Sequence, residues 1–421
     1  MLEGLGLSLE LNTLTLIGLI ITLAFLGSKL FQRMGIPQVV GFIVMGVAIG
    51  HSGLNIVSLE RTEELLFISQ LALGLIGFDM GGHLHVQELR RLGKSILFIL
   101  IFEAMGAFVV VAIGTYLLCH SLYTALLFGA ISSATAPAAT VDVLAEYDAA
   151  GPLTTTLIAV VGLDDALSLL LYSITAAFAE STLAHTGPPP LLSLLELPLL
   201  EIGGSLLLGA GLGLVLGFIM SHLRNRHDVM AVAIGTVILG VGLSVTLGFS
   251  LILTTMVLGS VVVNRDARNG HCIRYVVEQA GPVIYVLFFA LVGARFRVDM
   301  LPRMGVLGIA YVLLRSGGKF AGAWLGGRLG GAVAAVRNNL GLGLLSQAGV
   351  AIGLALDAAA RFGRHSPQGN QLGNLIINVI TATTFIVQII GPIAVKQAIT
   401  RAGEVGGAIA TEDEWISEGI T

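Results

Sequence analysis

The sequence predicts an all-α, polytopic membrane protein of about thirteen transmembrane helices, ordered as inverted repeats with two broken, crossing helices. Three observations carry that fold class. Of 421 residues, 55% are hydrophobic and 11% charged, whereas soluble globular chains carry about 25% charged residues. The apolar runs continue almost from end to end, and most approach the roughly 20 helical residues that a hydrocarbon core about 30 Å thick requires. Two of the runs contain breakers at matched positions, where membrane proteins tolerate irregular backbone only if it lines a cavity or is buried in protein.

In chain order the runs are Thr13 to Leu30, Pro37 to Gly50, Leu65 to Phe78, Ile96 to Cys119, Leu122 to Ala145, Leu153 to Phe178, and Leu199 to Met220. They continue with Met230 to Leu247, Ile252 to Val263, Gly281 to Val292, Gly305 to Leu329, Leu340 to Ala359, and Leu372 to Val395. Glycine, at 55 residues, is read as a helix-packing residue, because small side chains let membrane helices approach closely. Runs four to six and eleven to thirteen both form triplets of long spans, and an odd number of crossings between their starts makes them enter from opposite faces. The middle run of the first triplet contains Ser133-Ala134-Thr135-Ala136-Pro137, and that of the second contains Ser346-Gln347-Ala348-Gly349. Pro137 lacks an amide hydrogen and clashes with the preceding turn, so carbonyls near it are released to face a cavity.

Lys and Arg are in excess on one side of this topology, which makes that side cytoplasmic and puts the amino terminus outside. The loop with Arg295, Arg297 and Arg303 runs against the count. Residues 1–398 form the expected transmembrane unit, and residues 399–421 a short acidic cytoplasmic tail. The amino terminus lacks the basic stretch of a cleaved leader, so the first run is expected to remain as a helix. Cys119 and Cys272 fall near opposite faces, which excludes a disulfide framework. The net charge of −4 and the lack of an aromatic-basic pattern leave no case for nucleic acid.

Chemistry is concentrated in Val160-Val161-Gly162-Leu163-Asp164-Asp165-Ala166. The aspartates stand about 12 residues, or roughly 18 Å, from the inner end of their helix, near the midplane. An ionised carboxylate there costs about 2.5 kcal/mol or more, so two in succession need a compensating role. Neighbouring helix positions point about 100° apart, which lets one carboxylate face a cation pathway and the other a packed partner. Burial and a nearby like charge strengthen a carboxylate's hold on a proton, so proton and cation compete for the same oxygens. Such competition is the basis of antiport. Lys319 lies at similar depth and is expected to pair with one aspartate; loading a cation would break that pair and release the lysine proton.

Glu103 and Asp142 are further intramembrane carboxylates, candidates to pair with Arg315 or to line an access funnel. Asp357 lies near a helix end and reads as interfacial. His83 and His85 have a spacing compatible with a metal, yet no Cys or carboxylate set completes a site, so solvated loops are expected. His83, His85, His222, His227 and His271 fall on the inner face, where they are weakly placed for pH sensing. Nothing resembles an enzyme active site or a cofactor-binding motif; position 313, for example, is Leu where a phosphate-binding loop ending at Lys319 would need Gly.

Together with Gly35-Ile36-Pro37-Gln38-Val39-Val40-Gly41, Gly46, Gly50, Gly74-Leu75-Ile76-Gly77-Phe78 and the basic loop Arg90-Arg91-Leu92-Gly93-Lys94, these features resemble the cation/proton antiporter superfamily, especially its bacterial sodium/proton branch. The resemblance covers nearly the whole chain. It implies a dimerisation bundle and a mobile core in a homodimer embedded in inner (plasma) membrane lipid, alternating access, and a role in pH homeostasis. It implies Na+ held at Asp165 and Asp164, with Asp165 as principal cation and proton carboxylate, Asp164 as partner of Lys319, and Thr135 contributing from the broken helix. Pro137, Asp142, Gln347, Arg315 and Glu103 are the supporting residues. The Asp-Asp pair with Lys favours electrogenic exchange of Na+ or Li+ for H+; K+/H+ exchange and a cation channel are the alternatives. Many relatives carry Asp after the Thr of the broken helix, where this chain has Ala136, and Asp142 is the candidate to make good that charge.

Overall fold

The structure is a computed structural model that describes residues 12–82, 84, 86–183, 191–223, 225–265, 267–296, 298, 302, 304–362 and 367–407. Its helices are α1 (Thr13–Arg33), α2 (Gln38–Ile49), α3 (Leu59–Glu64), α4 (Leu66–Gly82), α5 (Val86–Cys119), α6 (Leu122–Ser133), α7 (Pro137–Glu146) and α8 (Pro152–Leu183). They continue with α9 (Leu191–Met220), α10 (Arg226–Leu247), α11 (Leu251–Arg265), α12 (Ala267–Ala294), α13 (Gly305–Gly330), α14 (Ala334–Gly343), α15 (Gly349–Phe362) and α16 (Pro367–Ala402). Seven described spans are long and apolar enough to cross a bilayer, and five shorter apolar helices accompany them. With α13, which polar residues remove from that set, they match the expected crossings.

The helices sort into two bundles, with α5 to α8 packing on α13 to α16, and α1, α2 and α4 packing on α9 to α12. The inverted repeat appears in the pairings. Contact of α2 with α12 in one half has its counterpart in contact of α11 with α4, and the most extensive packing joins the two equivalent long helices α5 and α13. That last contact depends on glycine. A methyl group on Gly322 would overlap the Phe102 carbonyl oxygen, and one on Gly318 would overlap that of Gly106, so the two backbones touch where larger residues would separate them.

The two breaks have different local causes. In the first, Pro137 takes the opening position of α7, where a missing amide hydrogen costs nothing. A residue before proline is excluded from the helical region, and Ala136 is extended at φ −93°, ψ 107°. No proline interrupts the second. Its backbone between α14 and α15 is held from outside: the Ala136 amide donates to the Ser346 carbonyl at 3.0 Å, and a methyl group on Gly391 of α16 would overlap Ser346.

Several boundaries move from their expected positions. The basic segment Arg90 to Lys94, read as a loop, forms early turns of α5. Helix α16 runs to Ala402, past the expected start of the tail at residue 399. Glu404 then folds back, its carboxylate accepting from the Leu153 and Thr154 amides and the Thr154 hydroxyl at 2.7 Å each. This supplies acceptors for the opening amides of α8, a cap delivered from far along the chain. Arg295 donates to the Thr62 carbonyl at 2.8 Å, while Arg297 and Arg303 lie outside the described residues.

Candidate ion-binding site

The chain breaks cross beside the middle of α8, where Asp164 is fully buried. Lys319 Nζ lies 2.9 Å from Asp164 Oδ2 and 2.7 Å from Thr135 Oγ1, and it also donates to the Ser133 carbonyl. Thr135 in turn donates its hydroxyl hydrogen to Asp164 Oδ2. The expected Asp164–Lys319 pair is therefore present, with Thr135 between the two charges. Glu103, fully buried on α5, places Oε2 2.7 Å from the same ammonium group. Its partner is Lys319 and not Arg315, because the glycine contact brings the α5 backbone against α13 at that level: a methyl group on Gly322 would crowd Glu103 Cα as well as the Phe102 carbonyl.

Arg315 has another task. Its guanidinium donates to the carbonyls of Ser132 at 3.1 Å and Ala134 at 2.7 Å, at the end of α6. It also donates to those of Leu345 at 2.6 Å and Ser346 at 3.2 Å, beyond the end of α14. Carbonyl ends of helices are electronegative and lack intrahelical donors, so one rigid fork of donors satisfies both. Gln347 contributes similarly: its amide donates to the Ile131 carbonyl at 2.9 Å and to the Tyr311 hydroxyl at 3.0 Å. It faces α6 and α13 and makes no hydrogen bond to either aspartate.

Asp164 Oδ1 and Asp165 Oδ1 are buried side-chain oxygens with no hydrogen-bond partner. A buried carboxylate oxygen in that condition is unstable unless a proton or a cation reaches it. Gly162, one turn before Asp165, lies against Met80 of α4 and Met256 of α11, so this stretch of α8 meets the second bundle. Carboxylate oxygens as donors suit a hard cation. Among the described residues no group of three His, Cys, Asp or Glu side chains is arranged to hold a metal ion, and the aspartate pair is a smaller donor set than such a centre uses.

Asp142 lies apart from this cluster and does not stand in for the carboxylate missing at Ala136. It sits in the second half of α7 and lines a cavity of about 470 Å³ with Asp79, Glu146, Gln38 and Tyr285, between α7 and the helices of the second bundle. The first turns of α7 and α15 hold no acidic residue. Asp79 directly follows the Gly74 to Phe78 segment and is not among the carboxylates expected from the sequence. Asp357 is exposed near the end of α15, in keeping with an interfacial place, and accepts from the Tyr172 hydroxyl of α8 at 2.8 Å. Nearby, Arg361 pairs with Glu180 at 2.6 Å. His222 is exposed and contacts the Phe218 carbonyl at 2.9 Å, His83 and His85 lie outside the described residues, and so do the side chains of His271 and Cys272.

The family model for the transmembrane sodium/hydrogen exchanger matches residues 18–398. Among characterised sequences, an ammonium/H(+) antiporter subunit, AmhT, of Alkalihalophilus pseudofirmus is 24% identical over 317 residues, covering 73% of this chain and 78% of that protein. Among solved structures, the sodium proton antiporter MjNhaP1 of Methanocaldococcus jannaschii at pH 8 matches with TM-score 0.70 and 19% identity, over 92% of this chain and 97% of that one. A three-dimensional electron-microscopy map of the same antiporter matches with TM-score 0.73 and 18% identity, over 92% and 95% of the two chains. The likeness to these structures concerns the fold, and the family match over nearly the whole membrane unit concerns descent. The chain belongs to the transmembrane sodium/hydrogen exchanger family, and with it to the cation/proton antiporters.

Proposed function

We propose that this antiporter exchanges Na+ or Li+ for protons by alternating access, the two ions competing for Asp165 and Asp164 with Thr135 assisting. The observation that carries the reading is the pair of buried, unpartnered carboxylate oxygens on successive residues of α8, beside a broken-helix crossing whose carbonyl ends Arg315 and Lys319 already occupy. With those ends satisfied, the aspartates' unpartnered oxygens are the ones on successive residues of one helix, and Glu103, whose oxygens also lack hydrogen bonds, is already ion-paired with Lys319. The position of α8 at the boundary of the two bundles supports movement of the α5–α8 and α13–α16 unit against the rest.

The protein in this reading is a homodimer in the inner (plasma) membrane, amino terminus outside and carboxyl terminus cytoplasmic. Large apolar side chains support such a setting: Leu14 on α1 and Leu207 on α9 are 80% and 78% exposed, which suits lipid or a second copy better than water. The decisive experiment is sodium-dependent proton movement in proteoliposomes between about pH 6 and 9. Wild type should show it and Asp165→Asn should abolish it. A fully active Asp165→Asn refutes the site, and flux without proton coupling identifies a channel.

A second reading has one specific support. The curated relative is named an ammonium/H(+) antiporter subunit, and the same oxygens accommodate potassium or ammonium, cations of similar size, in a looser cavity. Parallel assays with sodium, lithium, potassium and ammonium chloride separate the two.

A further inference from the structure

We propose that Glu103 is a second counter-ion for Lys319, to which the lysine turns when a cation occupies Asp164, so that one proton leaves per cation and no net charge moves. The inference rests on the assignment of exchange to Asp164 and Asp165. The Asp-Asp pair with Lys alone points the other way, toward a lysine that gives up its proton when its aspartate is taken.

The geometry points to partner exchange. An ammonium group has three hydrogens, and Lys319 Nζ has four oxygens around it: Asp164 Oδ2 at 2.9 Å, Thr135 Oγ1 at 2.7 Å, the Ser133 carbonyl, and Glu103 Oε2 at 2.7 Å. The contact with Glu103 is an ion pair without hydrogen-bond alignment, and neither Glu103 oxygen has a hydrogen-bond partner. Glu103 is thus close enough to receive the lysine and has unspent acceptors. Its side chain and that of Lys319 are both fully shielded from solvent, so water cannot substitute as a partner for either.

The other charged groups facing this point do not compete for the role. Arg315, one turn away on α13, is held by four carbonyls at the two helix breaks and is pinned there. Asp165 follows Asp164 on α8 and belongs to the exchange pair. That leaves Glu103 on α5, fixed against α13 by the Gly322 contact at its own Cα.

Charge counting gives the consequence. With a proton on Asp165, the charges of Arg315 and Lys319 balance those of Asp164 and Glu103. With a sodium ion between Asp164 and Asp165 and Lys319 turned to Glu103, three positive and three negative charges balance again. The buried site is neutral in both loaded states, which a low-dielectric interior favours. Without the Glu103 carboxylate, Lys319 would keep only the neutral oxygens of Thr135 and Ser133 in the sodium form, a buried charge with no counter-ion, and loss of its proton would relieve that.

Full-length protein in proteoliposomes, driven by a sodium gradient with and without an inside-negative potential set by a thiocyanate gradient, tests the proposal. Wild type should exchange at the same rate in both conditions, Glu103→Gln should become several-fold dependent on potential, and Glu103→Asp should restore insensitivity. Equal potential dependence in wild type and Glu103→Gln overturns the proposal while leaving antiport intact. Absence of any sodium-dependent proton movement removes the exchange reading and this inference together. Where Glu103→Gln is inactive, protons released per sodium bound are counted on solubilised wild type in weak buffer: about one supports the proposal and about two overturns it.

Discussion

The two helix breaks are equivalent by the inverted repeat and unlike in what they carry. At the first, Thr135 touches both Asp164 and Lys319, the charged pair at the proposed exchange site. At the second, Gln347 reaches back to the Ile131 carbonyl and Tyr311, and Ser346 gives its carbonyl to Arg315 and the Ala136 amide. The long helices flanking the breaks differ in the same sense. Helix α5 contributes an acid, Glu103, where α13 contributes two bases, Arg315 and Lys319. Likewise α8 carries the aspartates, while α16 carries Thr383 and Thr384 in its buried middle. The repeat supplies the same geometry twice, and side-chain substitution in one copy turns a crossing into a site.

If the second break serves the first by bracing it, the residue common to both should matter most. Arg315→Leu leaves the carbonyls of Ser132, Ala134 and Leu345 without their guanidinium donor in a buried setting, while that of Ser346 keeps the Ala136 amide. At about 1–3 kcal/mol per orphaned group, the loss is on the order of 5 kcal/mol or more, comparable with the whole stability of many domains. The expected outcome is protein that fails to yield a folded peak in detergent, or one whose thermal midpoint collapses. A variant with wild-type melting would mean that the breaks are held by something other than this guanidinium.

Next in size is Thr135→Val, which keeps the shape of the side chain and removes its hydroxyl. Two contacts to charged groups disappear, one to Asp164 and one to Lys319. Hydrogen bonds to charged partners are worth about 1.5–3 kcal/mol, so apparent cation affinity should fall by roughly ten- to a hundredfold. Sodium titration of exchange activity at fixed pH measures it, alongside a melting curve that should move little. An unchanged half-saturation concentration would put Thr135 in the same bracing class as Gln347.

Sequence made the helical class, the crossings and the breaks legible for one physical reason: lipid forces backbone groups to pair within each segment, so span length and interruption both register in composition. Asp164, Asp165 and Lys319 were legible because charge at mid-depth is rare. What pairs with what was less so. Glu103 looked a fit partner for Arg315, since nothing along the chain says that glycines at 318 and 322 draw α5 against α13 at that level. Asp142 looked able to replace the acid missing at Ala136, but its place in the second half of α7 turns it into the cavity between the bundles. By composition Glu404 belongs to an acidic tail, because a helix cap supplied from about 250 residues away leaves no local pattern.

The smallest expected effect belongs to Gln347→Leu, and it bears most directly on the comparison of the breaks. The substitution removes an amide that bridges α6 and α13 and leaves both aspartates and Lys319 with their present partners. One carbonyl and one hydroxyl lose a neutral hydrogen bond, a cost of about 1–3 kcal/mol, so a modest drop in thermal midpoint should appear with half-saturation for sodium within a few-fold of wild type. Read beside Thr135→Val, the pair of variants forms a cross: affinity lost at the first break, stability lost at the second. Should Gln347→Leu shift sodium affinity as far as Thr135→Val does, the second break takes part in binding the cation, and the division of labour drawn from its hydrogen bonds would be wrong.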